Sequence, residues 1–178
     1  MESIFVSTVL VALAEIGDKT QILALLLAAR YRRPLPIILG ILAATVLNHG
    51  LAAGLGVGVA QWLGAETLRW IVAASFLAMA AWILVPDDLD EQPRLWEKAG
   101  PFVATTVSFF LVEIGDKTQI ATIALGAQFN DLVSVTAGTT LGMMIADVPA
   151  VFVGGAMASR LPMRLVRGVA AGLFALLG

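Results

Sequence analysis

The sequence contains no cysteine and only one histidine, His49. The absence of cysteine excludes disulfides, thiolate metal sites and cysteine nucleophiles. A single imidazole also excludes the multi-histidine sites that usually hold zinc or copper. Any metal site in this chain must therefore be built from oxygen ligands, with at most one ring nitrogen.

Charge is scarce as well. Charged residues occupy 13% of the 178 positions, against about 25% in typical soluble domains. Hydrophobic residues make up 59% of the chain, in successive apolar stretches near or above 18 residues. This pattern predicts an all-α membrane protein with several transmembrane helices. The net charge of −2 is uninformative about partners.

Six apolar segments fit transmembrane helices, at about residues 4–29, 35–62, 68–85, 102–127, 132–158 and 161–178. Residues 86–100 are rich in charge and predict an aqueous linker. We therefore expect a first three-helix unit at 1–85, an acidic cytoplasmic linker at 86–100 and a second three-helix unit at 101–178. The N-terminus has no basic region and no cleavage site, so we expect a retained span and no signal peptide.

One octapeptide occurs twice, 98 positions apart, as Glu15-Ile16-Gly17-Asp18-Lys19-Thr20-Gln21-Ile22 and again at 113–120. At this offset, thirteen of twenty-eight positions are identical between residues 3–30 and 101–128. The offset also pairs Gly40 with Gly138, His49 with Asp147 and Phe76 with Phe174, and leaves the last helix without a counterpart of 81–85. The chain is thus a duplicated three-helix unit. Because three is odd, we predict an inverted-topology repeat with a substrate site between the halves.

The distribution of basic residues predicts the orientation in the membrane. One predicted side collects Arg30, Arg32, Arg33, Arg94, Lys98, Arg160 and Arg164, whereas the opposite side has only Arg69. The basic side should be cytoplasmic, which makes both termini exoplasmic. Four tryptophans near the predicted span ends are expected to be interfacial anchors, namely Trp62, Trp70, Trp82 and Trp96.

Both motif copies lie inside apolar segments, where one Asp or Lys costs about 2.5–3.5 kcal/mol. On an unbroken helix Glu15 and Asp18 share a face, and Lys19, four residues after Glu15, partly neutralises it. With the second copy and Asp147, five acids face two lysines. A dry interior does not hold this surplus, so the site must protonate, admit water or bind cations. The alternative is a buried ion pair that only fixes helix packing.

Clustered carboxylates without sulfur suit a hard divalent ion such as Mn²⁺, Ca²⁺ or Mg²⁺. Since crowded carboxylates also hold protons in competition with a cation, we predict exchange of the ion against protons. The predicted ligands are Glu15, Asp18, Glu113 and Asp116. Glycine lets a helix open, so nearby backbone carbonyls are further candidates. The predicted supporting motif residues are Gly17, Lys19, Thr20, Gln21, Gly115, Lys117, Thr118 and Gln119.

Three polar residues lie outside the motifs at similar depth. Asp147 is predicted to be a further ligand or a proton relay. Asn48 is either a ligand through its amide oxygen or a polar contact between helices. His49 is expected to be a hydrogen-bonded packing residue. The motif lysines either tether the acids of the empty site or act as structural counter-ions.

The doubled Glu-x-Gly-Asp-Lys-Thr motif on the first and fourth of six spans resembles a small cation-transporter family that includes bacterial manganese exporters and Golgi Ca²⁺/Mn²⁺ transporters. The resemblance covers essentially the whole chain. It implies Mn²⁺ efflux by cation/proton exchange, with Ca²⁺/H⁺ antiport as the alternative, and metal binding by the four motif acids. It also implies a bacterial inner-membrane transporter, and no enzyme. The expected partners are the transported Mn²⁺ or Ca²⁺, protons and the lipid bilayer, with no resident cofactor and no nucleic acid.

Three other classes compete with this interpretation. An intramembrane aspartyl protease also uses one aspartate from each of two helices, but the two identical copies and the lysine after each aspartate argue against it. An exporter of amino acids or other small organic cations would usually need aromatic or apolar walls, which the motifs do not offer. A non-transporting scaffold does not explain the surplus of buried acids.

Overall fold

The structure is a computed structural model that describes residues 1–85, 99–153 and 163–177. Every regular element in these residues is a helix, and they contain no strand. The predicted linker lies mostly outside the described residues, as do Trp96, the end of the predicted fifth span and the start of the sixth. The helices of the described residues are α1 (Glu2–Glu15), α2 (Lys19–Tyr31), α3 (Pro34–Trp62), α4 (Ala65–Trp82), α5 (Pro101–Glu113), α6 (Lys117–Phe129), α7 (Leu132–Val153) and α8 (Met163–Leu177).

The predicted first and fourth spans are not continuous helices. Each is divided at its motif, into α1 and α2 in the first half and α5 and α6 in the second. The division falls at Gly17 and Gly115, where glycine was expected to open the helix. Each resulting helix has 13 or 14 residues, or about 20 Å of length, which is shorter than the hydrocarbon core of a bilayer.

Two helices of the described residues are by themselves long and apolar enough to cross a membrane. They run over Pro34–Trp62 and Leu132–Phe152, and shorter apolar helices occur at Pro101–Glu113 and Gly168–Leu177. The breaks at the motifs account for two of the predicted spans, the first and the fourth, which are not continuous helices. The all-helical class is confirmed, and the six-span arrangement stays a prediction.

The helices of each half pack on the long helix of the other half. Both α1 and α2 lie against α7, whereas α5 and α6 lie against α3. Contacts between α2 and α3, or between α6 and α7, are much less extensive. This exchange of partners brings the two motif copies together.

Two close helix crossings repeat at the offset of 98 residues. A Cβ atom on Gly40 of α3 would lie 2.7 Å from Cβ of Thr105 and 2.9 Å from the Phe102 carbonyl on α5. At the equivalent crossing of α7 and α1, a Cβ atom on Gly138 would lie 2.6 Å from a backbone carbonyl. Only glycine allows backbones to approach this closely. The two halves therefore share this helix contact as well as the glycine in their sequences.

Two helix ends and one pair of aromatic residues also follow the offset of 98 residues. Arg32 and Asn130 end α2 and α6 in the left-handed conformation, with φ of 51° and 48°. Phe76 of α4 and Phe174 of α8, which the offset pairs, contact each other with ring centroids 6.1 Å apart. Equivalent residues that touch each other lie where a pseudo-twofold axis would pass.

The surface and interior have the polarity expected in a bilayer. Large apolar side chains are exposed along α3, α4 and α7, and Trp62, Trp70 and Trp82 are exposed too. In contrast, Glu15, Glu113, Asp147 and His49 have no exposed surface. A soluble protein rarely buries ionisable groups while exposing so many aliphatic ones, and the chain is therefore a membrane protein.

Candidate metal centre

The site is organised by the two helix breaks. Gly17 and Gly115 have φ of 79° and 78°, in the left-handed region that glycine adopts readily. One backbone hydrogen bond spans each break. Asp18 N donates to the Glu15 carbonyl at 3.0 Å, and Asp116 N donates to the Glu113 carbonyl at 3.1 Å. A motif thus holds a glutamate at the end of one helix and an aspartate at the start of the next.

The aspartates occupy the N-cap positions of α2 and α6 in extended conformation. The N-terminus of a helix carries a partial positive charge and unpaired N–H groups, which favour a carboxylate. Asp116 accepts a long hydrogen bond of 3.5 Å from Thr118 N. The breaks therefore explain how acids with little exposed surface are held in an apolar protein.

A glutamine side chain stabilises each break by a hydrogen bond. The side-chain oxygens of Gln21 and Gln119 accept hydrogen bonds from Gly17 N at 3.1 Å and Gly115 N at 2.7 Å. Their amide nitrogens donate to the long helix of the other half, to the Ala146 carbonyl at 3.0 Å and to Asn48 Oδ1 at 2.5 Å. Positions 48 and 146 are equivalent by the offset of 98. Each glutamine therefore ties the break of one half to the other half.

The motif threonines orient the glutamates. Thr20 Oγ1 lies 2.6 Å from Glu15 Oε2, and Thr118 Oγ1 lies 3.0 Å from Glu113 Oε2 and 3.3 Å from Asp116 Oδ2. The other oxygen of each glutamate, Oε1, is buried and has no hydrogen-bond partner within the described ranges. One oxygen of each glutamate is thus oriented by a hydroxyl, and both oxygens keep lone pairs for a ligand.

Lys19 was predicted from its i, i+4 spacing to neutralise Glu15, but it forms its ion pair elsewhere. That prediction required an unbroken helix, and the break at Gly17 removes the geometry. Lys19 Nζ instead lies 2.6 Å from Oδ1 of Asp116 in the other motif copy. Lys117 Nζ donates to the Val85 carbonyl at 3.0 Å.

Three of the four predicted ligands form one cluster. Ligand atoms of Glu15, Glu113 and Asp116 all lie within 4.8 Å of one another, and the three residues are buried. Asp18 is also buried, but its carboxylate is not within this distance of all three. The cluster joins both motif copies and offers only carboxylate oxygens, the ligands that hard divalent cations prefer. Its ligand atoms therefore suit the ion class expected from the sequence.

Asp147 and Asn48 lie outside the motifs and have different surroundings. Asp147 is fully buried on α7, neither of its oxygens has a hydrogen-bond partner in the described part of the chain, and it interacts electrostatically with Glu15 and Glu113. Asn48 uses its amide oxygen to accept the hydrogen bond from Gln119. In this structure Asn48 therefore serves as a polar contact between helices.

His49 differs from expectation. It was predicted to be hydrogen-bonded, yet neither ring nitrogen has a hydrogen-bond partner among the described residues. Its Nε2 atom faces Oε2 of Glu113 at 3.8 Å. Hydropathy does not predict that His49 lies beside Glu113. The alignment of His49 with Asp147 is the sequence signal that indicates this position.

The chain matches the family described as "Divalent cation/proton antiporter GDT1" over residues 3–91 and 101–178. It is 55% identical to a Vibrio cholerae protein named "Putative manganese exporter", over 99% of this chain and 88% of that protein. No solved structure matches the chain.

More distant relatives carry the family's name. A GDT1-like protein of Synechocystis is 30% identical, over 93% of this chain and 89% of that protein. GDT1-like protein 3 of Oryza sativa subsp. indica is 28% identical, over 97% of this chain and 71% of that protein. The resemblance inferred from the doubled motif is thus confirmed, and this chain belongs to the GDT1 family of divalent cation/proton antiporters.

Proposed function

We propose that this protein exports Mn²⁺ from the cytoplasm in exchange for protons. The observation that carries the proposal is the buried cluster of Glu15, Glu113 and Asp116, whose ligand atoms lie within 4.8 Å of one another. Carboxylate oxygens suit Mn²⁺, Ca²⁺ and Mg²⁺. The name of the Vibrio cholerae relative, "Putative manganese exporter", favours Mn²⁺ among these ions.

The exchange follows from the charge of the cluster. Three carboxylates at this distance repel one another, and burial opposes their ionised forms. A bound divalent ion compensates two negative charges, and protons compensate them when the ion leaves. Asp147, buried beside Glu15 and Glu113 without a hydrogen-bond partner in the described ranges, supplies a further acid for this exchange. Asp18 completes the proposed ligand set from its N-cap position.

Lys19 is proposed to be the internal competitor of the ion. Its contact with Asp116 is short, at 2.6 Å, and links the two motif copies. A lysine in this place satisfies Asp116 when no cation is bound, and it must release Asp116 when a cation binds. The ion pair thus stabilises the empty transporter and lowers its affinity.

For the whole chain we propose six membrane crossings, in which the pairs α1–α2 and α5–α6 each count as one broken crossing. The two inverted repeats are residues 1–85 and 101–178, joined by the linker 86–100. The Gly40 and Gly138 crossings and the Phe76–Phe174 contact support this division. Broken helices that meet at the interface of two repeats are a recurrent design of ion-coupled transporters.

The distribution of arginine supports a location in the bacterial inner membrane with the basic side in the cytoplasm. Arg30, Arg32 and Arg33 are exposed around the end of α2, and the positive-inside rule assigns this end to the cytoplasm. Both termini are then exoplasmic. Ion movement from this side toward the termini is export.

The proposal is tested by Mn²⁺ flux in proteoliposomes, with and without a pH gradient. The unaltered protein should move Mn²⁺ in response to the gradient, whereas Glu113→Gln should abolish the movement. Glu66→Gln, the same substitution at an exposed position of α4, is the matched control and should keep full flux. Correctly folded protein that moves neither Mn²⁺ nor Ca²⁺ would refute the proposal.

Ca²⁺/H⁺ exchange is the second candidate, because a cluster made only of carboxylates suits Ca²⁺ equally well. Flux of Ca²⁺ with no flux of Mn²⁺ would select it. Inhibition of Mn²⁺ flux by amino acids would instead support an organic substrate.

A further inference from the structure

His49 is the only histidine of the chain and lies fully buried on α3. Its Nε2 atom is 3.8 Å from Oε2 of Glu113, which is too long for a hydrogen bond. Within the described residues, Nδ1 has no hydrogen-bond partner either. Buried polar groups are normally satisfied, so helix packing alone does not explain this imidazole.

The distance between His49 and Glu113 fits two ligands of one ion. Ligand atoms at about 2.0–2.6 Å from a common ion are about 3–5 Å apart. The 3.8 Å separation falls in this range. His49 is not within 4.8 Å of all three clustered carboxylates, so it borders the cluster on the Glu113 side. An ion held by Glu113 on that side is within reach of the imidazole.

The duplication shows what is unusual about His49. Its equivalent in the other half is Asp147, which is also fully buried and also lacks hydrogen-bond partners among the residues described. Both positions border the glutamates of the site. At one of two equivalent places a carboxylate is present, and at the other an imidazole. The cluster therefore has an all-oxygen side and a side with one nitrogen.

We propose that His49 is a nitrogen ligand of the transported ion and sets the preference for transition-metal ions over Ca²⁺ and Mg²⁺. This inference rests on the proposed function, since it concerns the same site. Ca²⁺ and Mg²⁺ take oxygen ligands, whereas imidazole nitrogen binds first-row transition ions. A single nitrogen among carboxylates raises the affinity for Mn²⁺ relative to Ca²⁺.

The single histidine permits a direct test on the unaltered, full-length protein. The protein is purified with a tag that contains no histidine, loaded with less than one equivalent of Mn²⁺, and measured by pulsed electron paramagnetic resonance. Preparations with ordinary and with ¹⁵N-labelled histidine are compared. A nitrogen coupling that changes on labelling assigns the ligand to His49. Bound Mn²⁺ without such a coupling overturns the inference and leaves the proposed function intact.

Competition between Mn²⁺ and Ca²⁺ supplies the second readout. His49→Asn removes the ring nitrogen and keeps a polar side chain, whereas His49→Phe keeps a ring without a ligand atom. Loss of a residue that only supports a metal ligand typically costs about 10–100-fold in affinity. Loss of a direct ligand for Mn²⁺ should cost at least as much, so both variants should lower the Mn²⁺-to-Ca²⁺ affinity ratio by about tenfold or more. An unchanged ratio in folded variants overturns the inference. If the unaltered protein binds no Mn²⁺ at all, the proposed function fails together with it.

Discussion

The helix break at Gly115 gives the sharpest test of how the site is built. Its φ of 78° lies in the left-handed region, and a Cβ atom at this position would meet no atom within 4 Å beyond the adjacent residues of the chain. The substitution Gly115→Ala therefore changes the backbone preference without creating a clash. For an L-residue the left-handed conformation costs about 1–2 kcal/mol.

This cost limits the expected effect on binding. In the proposed site, metal binding requires the break, because the break places Glu113 and Asp116 on either side of Gly115. If Gly115→Ala relaxes to another turn, the ion must restore the left-handed one, and its apparent affinity falls by the strain. A strain of about 1–2 kcal/mol corresponds to a fall of about 5–30-fold. The assay is Mn²⁺ binding at equilibrium to the purified protein.

Two variants control this experiment. Gly58→Ala places a Cβ atom in open space on a regular helix, so it should leave the affinity unchanged. Gly115→Asn should retain more affinity than Gly115→Ala, because asparagine tolerates the left-handed conformation. The reasoning would be refuted if Gly115→Ala and Gly58→Ala bound Mn²⁺ equally well.

Three further predictions follow from individual contacts. Thr118→Val removes the hydroxyl that holds Glu113 at 3.0 Å, and should weaken Mn²⁺ binding by about tenfold or more. Lys19→Gln removes the cation that pairs with Asp116 at 2.6 Å, and should raise the affinity for Mn²⁺ about fivefold, or about 1 kcal/mol. Gly40→Ala forces a Cβ atom to within 2.7 Å of another side chain, and should lower the free energy of unfolding by about 1–3 kcal/mol, measured by denaturation in detergent.

Each of these predictions has a matched control. Thr122→Val removes a hydroxyl that donates to a backbone carbonyl and should bind Mn²⁺ better than Thr118→Val. Lys19→Arg keeps the charge and should keep the parent affinity, while weaker binding by Lys19→Gln would mean that Lys19 holds the site in its binding shape. Gly58→Ala should not destabilise the protein, and equal stability of Gly40→Ala would show that α3 and α5 separate at little cost.

Composition and repetition were enough to predict the helical class and the meeting of the two motifs. The acids at 15, 18, 113 and 116 stand out because apolar surroundings make them costly, and the offset of 98 pairs 15 with 113 and 18 with 116. These are properties of residue type and order, which need no knowledge of side-chain directions.

The contacts inside the site could not be predicted in the same way. The spacing of an ideal helix predicted that Lys19 lies beside Glu15. The left-handed conformation of Gly17 changes the direction of the chain, and Lys19 pairs with Asp116 instead. The position of His49 depends on which face of α3 meets α5 and α6, and a helix that is apolar nearly all round gives no periodic signal for that face.

The exchange of partners between the halves also determines the order of assembly. The first helix, Glu2–Glu15, finds its main partner in Leu132–Val153, which is synthesised about 130 residues later. At about 5–20 residues per second, the ribosome needs roughly 7–25 s to make that partner. During this interval Glu15 lacks contact with both α7 and the second motif copy. Either half made alone lacks the long helix that its broken helices pack against. The two halves expressed as separate chains should therefore be stable only when they are produced together.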